Sequence, residues 1–213
     1  MNTNARAADT VLLLHGMWMN RFVMCYLAHA LKRRGFSASA VAYRSMRDSL
    51  DEHLARLAKR VAALNATRVH LVGHSFGGLV ALRYLQRSPD ERIGRAVLLG
   101  APVTGCRAAA AFAQRRGGEF LLGKSLGAWR EPVDTSLDPR FDVGVIAGTR
   151  ALGLASVLTR LPEPNDGVVS LDETRFRGMR DHLALPVWHM GMLVSERVAR
   201  QTGEFLRTGA FGR

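Results

Sequence analysis

Val72-Gly73-His74-Ser75-Phe76-Gly77-Gly78 follows directly on the apolar, β-branched stretch Val69-His70-Leu71 and continues into Gly78-Leu79-Val80-Ala81-Leu82-Arg83-Tyr84-Leu85. The first stretch reads as a buried strand, and the last has apolar residues at helical spacing, so Ser75 falls on the turn between them. A side chain held on so sharp a strand-to-helix turn takes strained dihedrals, and there is no room for neighbours two positions away. Gly73 and Gly77 occupy those two positions. Strand, Gly-x-Ser-x-Gly turn and helix in this order lift one serine out of the sheet. An ordinary βα turn that happens to hold a serine has the same five residues, so the rest of the chain must decide.

Upstream, Val11-Leu12-Leu13-Leu14 is a wholly apolar run ending at His15-Gly16, as in a strand buried on both faces of a parallel sheet. The spacing predicts a helix from about Asn20 to Arg34, stopped by Gly35, then a strand over Ser37-Ala38-Ser39-Ala40-Val41-Ala42-Tyr43. Leu50, Leu54, Leu57, Val61 and Leu64 share one face of a second helix between Ser49 and Asn65. Downstream, strands are expected at Ala96–Gly100, Phe141–Ala147 and Leu183–Trp188, with a closing helix from Met192 to Leu206. The alternation predicts an α/β fold: a mostly parallel sheet of about six strands with helices on both faces. Between Pro102 and Asp138 the pattern loosens into one or two irregular helices. That segment, 102–138, is a candidate cap over the sheet edge, and a surface excursion is the alternative.

With 213 residues, 47% of them hydrophobic, and no Pro/Gly/Ser-rich linker, a single domain over 1–213 is expected. No apolar run approaches the ~20 residues of a membrane span, and residues 1–9 lack the apolar core of a secretory signal, so a cytoplasmic location is expected. Cys25 and Cys106 stand apart without metal-ligand spacing and read as free thiols; no metal or cofactor is expected. The net charge of +12 is scattered, with only short clusters such as Lys32-Arg33-Arg34 and Arg115-Arg116. Without aromatic interleaving this does not describe a nucleic-acid surface, although contact with an anionic surface or substrate is compatible with it.

A serine hydroxyl is a weak nucleophile near neutral pH, so it needs a histidine to take its proton and a carboxylate to orient that histidine. His189 stands after Pro186-Val187-Trp188 and before the last helix, where a βα loop brings it over the sheet edge, and it is the candidate base. His182 is the rival, placed before the final strand. His70 belongs to a strand body, and His29 and His53 to helices. Asp166, in the turn-rich Pro164-Asn165-Asp166-Gly167-Val168-Val169, is the candidate acid in the chain order Ser, Asp, His. A solvated Asp-Gly turn is its plainer reading, and Asp142 and Asp172 are weaker candidates. Two backbone amides could face a developing oxyanion: that of Phe76 after the serine, and that of Met17 in the turn His15-Gly16-Met17. Around them, His15, Gly16, Trp18 and Met190 are candidate substrate contacts; Met17, Trp18, Met19, Met190 and Met192 would suit an apolar acyl group, and core packing accounts for these side chains at least as well.

These residues resemble the α/β-hydrolase superfamily, and in particular its small bacterial lipase-like or esterase-like members. The likeness spans roughly Thr10 to Leu206 and rests on His15-Gly16-Met17, Gly73-His74-Ser75-Phe76-Gly77, Asn165-Asp166-Gly167-Val168-Val169 and His189-Met190-Gly191-Met192-Leu193. It implies a Ser75, Asp166, His189 triad and hydrolysis of a small-molecule or lipid acyl ester through an acyl-enzyme. Against the family pattern, the antiparallel first hairpin is expected to be missing, which would expose a different sheet edge. An acyltransferase or thioesterase would use the same triad, and a binding protein could keep the scaffold without the chemistry.

Overall fold

The computed structural model describes residues 9–87, 90–130, 137–152 and 161–212. Six strands, β1 (Thr10–Leu14), β2 (Ser37–Ala40), β3 (Val69–His74), β4 (Ile93–Leu99), β5 (Val143–Gly148) and β6 (Asp181–Leu185), form one sheet in the order β2-β1-β3-β4-β5-β6. Every pairing between them is parallel. All the C-terminal strand ends therefore meet at one edge, and the loop after β3 leaves that edge at Ser75.

Both sheet faces are covered because the central strands are apolar on both sides. Leu12, Leu14, Leu71, Leu98, Val143 and Val145 face the helices α2 (Leu50–Ala62) and α3 (Phe76–Arg87), packing on Leu54, Leu57, Val61, Leu79 and Leu82. The alternate residues Val11, Leu13, Val72, Val97, Leu99 and Ile146 face α1 (Cys25–Lys32) and the C-terminal helix (Glu196–Thr208) through Leu27, Leu31, Val198, Phe205 and Leu206. The period-two split of side chains along each strand is what makes two cores out of one sheet.

Element ends follow local capping. α2 starts at a reciprocal capping box, with Ser49 accepting from the Glu52 amide and the Glu52 carboxylate accepting from the Ser49 amide. The expected first helix is divided into a 3-10 turn at Arg21–Met24 and α1, and the expected last helix into a 3-10 turn at Met190–Val194 and the helix proper. Ser195 makes the second division, since its side chain accepts from the Val198 amide and restarts the helix. β6 begins at Asp181 and ends at Leu185, earlier than the expected Leu183–Trp188, because Pro186 has no amide to give to the ladder. His182 consequently lies inside β6, not before it.

The loosely patterned segment folds as three short helices, α4 (Arg107–Ala113), α5 (Gly118–Leu122) and α6 (Leu126–Arg130), with a 3-10 turn between the last two. The part of 102–138 that covers 131–136 lies outside the described residues. Numbered in chain order, the C-terminal helix is α7. Among the described residues no helix is long and apolar enough to cross a membrane.

Candidate active site

The chain turns from β3 into α3 at Ser75. Its φ of 53° lies in the left-handed region, which costs a residue with a Cβ roughly 1–3 kcal/mol and calls for a rigid surround. The Ser75 amide donates to Leu99 O at 2.8 Å, holding the turn against β4. A Cβ on Gly73 would stand 2.4 Å from Gly77 O, and one on Gly77 would stand 2.4 Å from Leu14 O. No side chain fits at either position, as the steric reading of the motif requires. α3 begins at Phe76, so the amide after the serine is the first of a helix and has no acceptor within it.

At the same edge, the loop after β6 carries His189 and the loop before it carries Asp166. His189 Nδ1 donates to Asp166 Oδ2 at 2.7 Å, and both side chains are buried. The backbone repeats the link, with the His189 amide donating to Asp166 O at 2.9 Å. Asp166 Oδ1 accepts from the amides of Val168 and Val169, at 2.9 and 2.7 Å, so the carboxylate is fixed before the imidazole meets it. Since a carboxylate only accepts, the proton sits on Nδ1, and Nε2 is left as a lone-pair base. The end of β4 touches this pair: a Cβ on Gly100 would lie 2.9 Å from Asp166 Oδ2 and 3.2 Å from His189 Nδ1. No hydrogen bond of the structure joins Ser75 Oγ to His189, a contact that commonly tightens only with substrate bound.

His74, the variable residue before the serine, was not singled out by its sequence context. Its ring lies 4.6 Å from that of His189, and its Nε2 donates to His189 O at 3.0 Å. Complete burial, with His189 alongside, pushes its pKa down from 6.5 to about 3, so the ring is neutral and remains so. Only the tertiary approach of the loop after β6 to the end of β3 reveals this contact, and no spacing rule would have found it.

The loop after β1 closes the site from the other side. A Cβ on Gly16 would stand 3.3 Å from Ser75 Cβ and 3.3 Å from Met19 Sδ, so the loop runs against the serine. Met17 is buried, and Trp18 takes a φ of 57°, a second non-glycine residue in the left-handed region. His15 is fully buried, its ring stacked on Tyr43 at 4.1 Å, and Tyr43 OH donates to His15 O. Met190 is half-buried beside His189. Of the expected substrate contacts, Trp18 is the most open, at 55% exposure.

The helices α4 to α6 lie across this edge. Trp18 Nε1 donates to Leu121 O at 2.8 Å and its indole meets Phe112 edge-on, while Trp129 packs against Phe76 at 5.4 Å. A second anchor is the buried Glu173 carboxylate, which accepts from the Arg107 amide at 2.6 Å, the Ser170 amide at 2.8 Å and Ser170 Oγ at 2.5 Å. Glu173 thus ties the start of α4 to the loop that carries Asp166. Two cavities flank the edge: one of about 270 Å³ within these helices, lined by Ala109, Ala110, Ala113, Leu126 and Trp129, and one of about 340 Å³ beside the β1 and β2 loops.

The remaining candidates are elsewhere. His182 Nε2 donates to Thr174 Oγ1 at 2.9 Å, near the start of β6 and away from the serine. Asp142 pairs with Arg95 at 3.1 Å and Asp172 with Arg107 at 2.8 Å. Cys106 caps α4, burial pushing its thiol up to about 12, and Cys25 is exposed; both are free. Among the described residues no cluster could hold a metal ion.

A parallel sheet with helices on both faces and a strained serine at a strand-to-helix elbow define the α/β-hydrolase class of protein. Residues 11–205 match the model of the alpha/beta hydrolase family, and the chain belongs to that family. Among solved structures it is similar to the mature lipase BlEst2 of Bacillus licheniformis, at 16% identity over 95% of this chain and 92% of that one, with a TM-score of 0.75. It is also similar to the metagenomic carboxyl esterase MGS0156 (19% identity, 94% and 75% coverage, TM-score 0.70) and to the carboxylesterase CesB of Bacillus subtilis (18%, 96% and 85%, TM-score 0.56). At such identities the likeness is one of fold. No curated protein matches the sequence.

Proposed function

We propose that the protein is a serine hydrolase that cleaves carboxylic esters through an acyl-enzyme on Ser75. The 2.7 Å bond from His189 Nδ1 to the twice-anchored Asp166 carboxylate carries this reading, because it leaves Nε2 free to accept a proton at the edge where Ser75 is presented. Ser75 Oγ attacks the ester carbonyl while His189 Nε2 takes the hydroxyl proton. The carbonyl oxygen becomes an oxyanion held by the amides of Met17 and Phe76, the latter also at the positive end of α3. Collapse breaks the C–O bond, and His189 returns the proton to the leaving alkoxide. Water then attacks the acyl-serine, gives its proton to His189, and releases the acid and Ser75.

The elements 107–130 act in this reading as a small cap within one hydrolase domain, with Trp18 and Met190 at its border with the site. The esterase and lipase neighbours support a carboxylic ester as substrate, without naming one. The deciding experiment is labelling with a fluorophosphonate probe together with hydrolysis of short-chain acyl esters. Labelling and turnover in the parent, both lost in a folded Ser75→Ala variant, are expected; an S75A protein that hydrolyses as fast as the parent sinks the proposal.

A further inference from the structure

The cavity beside the β1 and β2 loops has a composition that the chemistry at Ser75 does not call for. It is lined by the apolar Trp18, Met19 and Met46, by Tyr43, and by Arg44 and Arg47. The two arginines belong to a single turn, in which the amides of Arg47 and Asp48 both donate to Arg44 O. Both are exposed, and among the described residues neither guanidinium has an ion pair or hydrogen bond. Other arginines have partners: Arg56 holds Asp48 at 3.2 Å, Arg92 holds Asp90 at 3.0 Å and Arg95 holds Asp142 at 3.1 Å. Asp48, the carboxylate of the same turn, is buried and accepts from Arg56 and from the Arg44 amide, and it makes no ion pair with the Arg44 or Arg47 guanidinium.

The cavity borders the loop that faces the serine. Met19 Sδ, on its wall, and Ser75 Cβ both lie 3.3 Å from the point where a Cβ on Gly16 would stand. Tyr43 is stacked on His15 and donates to its carbonyl, so the wall that carries the arginines is fixed to the loop that faces Ser75. Trp18 and Met19 from the loop that faces the serine, with two unpaired, planar guanidiniums from the turn after β2, match a ligand that carries both an ester and an anionic group.

We propose that this cavity receives the anionic portion of an ester, a carboxylate or phosphate group, and that Arg44 and Arg47 make the enzyme select for it. The inference rests on the hydrolase reading of Ser75 and names the substrate class for that site.

Two matched pairs of substrates test it. Mono-p-nitrophenyl glutarate against p-nitrophenyl valerate places the charge on the acyl half; butyrylglycerol phosphate against butyrylglycerol places it on the alcohol half. In the parent, at low salt, kcat/KM for at least one anionic member exceeds its neutral partner by about tenfold, a difference of about 1.4 kcal/mol. The pair that shows the preference tells which half carries the anion. The ratio falls towards one at about 1 M salt, where the screening length is about 3 Å. It also falls towards one in R44Q/R47Q and inverts in R44E/R47E. The variant R60Q/R200Q makes the same change in net charge at exposed positions outside the cavity and keeps the parent ratio. Equal kcat/KM for charged and neutral partners in the parent, or a preference that survives in R44Q/R47Q, overturns the inference. If neutral esters are turned over and Ser75 is labelled, such a result leaves the hydrolase reading intact. If no ester is turned over and no label attaches, the hydrolase reading fails and the substrate class fails with it.

Discussion

Asp166 and His189 illustrate how a carboxylate acts through geometry. Asp166→Asn keeps acceptors for the Val168 and Val169 amides but can present an N–H to His189 Nδ1, which drives the ring proton to Nε2 and removes the base. We expect kcat to fall by about 10⁴-fold with little change in KM, measured on a short-chain ester; a loss under tenfold would contradict the proposed role. His74 works one step further away. His74→Ala removes the donor that holds His189 O and opens space beside the imidazole, so kcat should fall by about tenfold or more while the fluorophosphonate label still attaches. At this scale the sequence was informative where chemistry and chain order coincide, since Ser75, Asp166 and His189 each sit on a loop at a strand end. It was silent on His74, whose role depends on the end of β3 meeting the His189 loop across 115 positions of chain.

Elements were legible where periodicity was strong and blurred where capping decided. β1 and β3, continuous apolar runs, stand where the pattern puts them; β2 stops at Ala40, after which the Val41 amide still donates to Leu13 O, and β6 stops at Leu185, because Pro186 has no amide for the ladder. The alanine-rich segment had no apolar stripe to assign because its helices are held by side-chain anchors at either end. Glu173→Gln weakens one of them. An amide cannot accept from the Arg107 amide, the Ser170 amide and Ser170 Oγ as a carboxylate does, and about 1–3 kcal/mol of stability should be lost, read as a lower denaturant midpoint at constant m. Trp18→Phe removes the bond to Leu121 O and keeps a ring for Phe112. We expect faster amide hydrogen exchange over residues 118–126 and unchanged exchange in β3 and α3; uniform acceleration would mean that α4 to α6 are not an independent unit.

For the molecule as a whole, buried imidazoles set the response to acid. His15, His53, His70, His74 and His182 all have pKa values below 6.5 because burial disfavours the cation, His74 down to about 3 and His182 to about 4. Below pH 6.5 the unfolded chain binds protons at these positions that the folded chain refuses, so unfolding becomes easier as the pH falls towards 3 and stability rises with pH in that window. His74 alone contributes a slope of up to about 1.4 kcal/mol per pH unit there. The midpoint of denaturant unfolding should drop steadily between about pH 7 and 5. A flat profile would mean that these rings find protons or solvent in the folded state.

The strand order carries one more consequence, for a chain still on the ribosome. β3 and its elbow can form once β1 and β4 exist, but His189 follows β6, which among the described residues is the outermost strand on its side of the sheet. A nascent chain that has folded as far as β5 holds a shaped serine with neither base nor acid. On the proposed mechanism, the serine stays silent until β6 and the loop after it have joined the sheet.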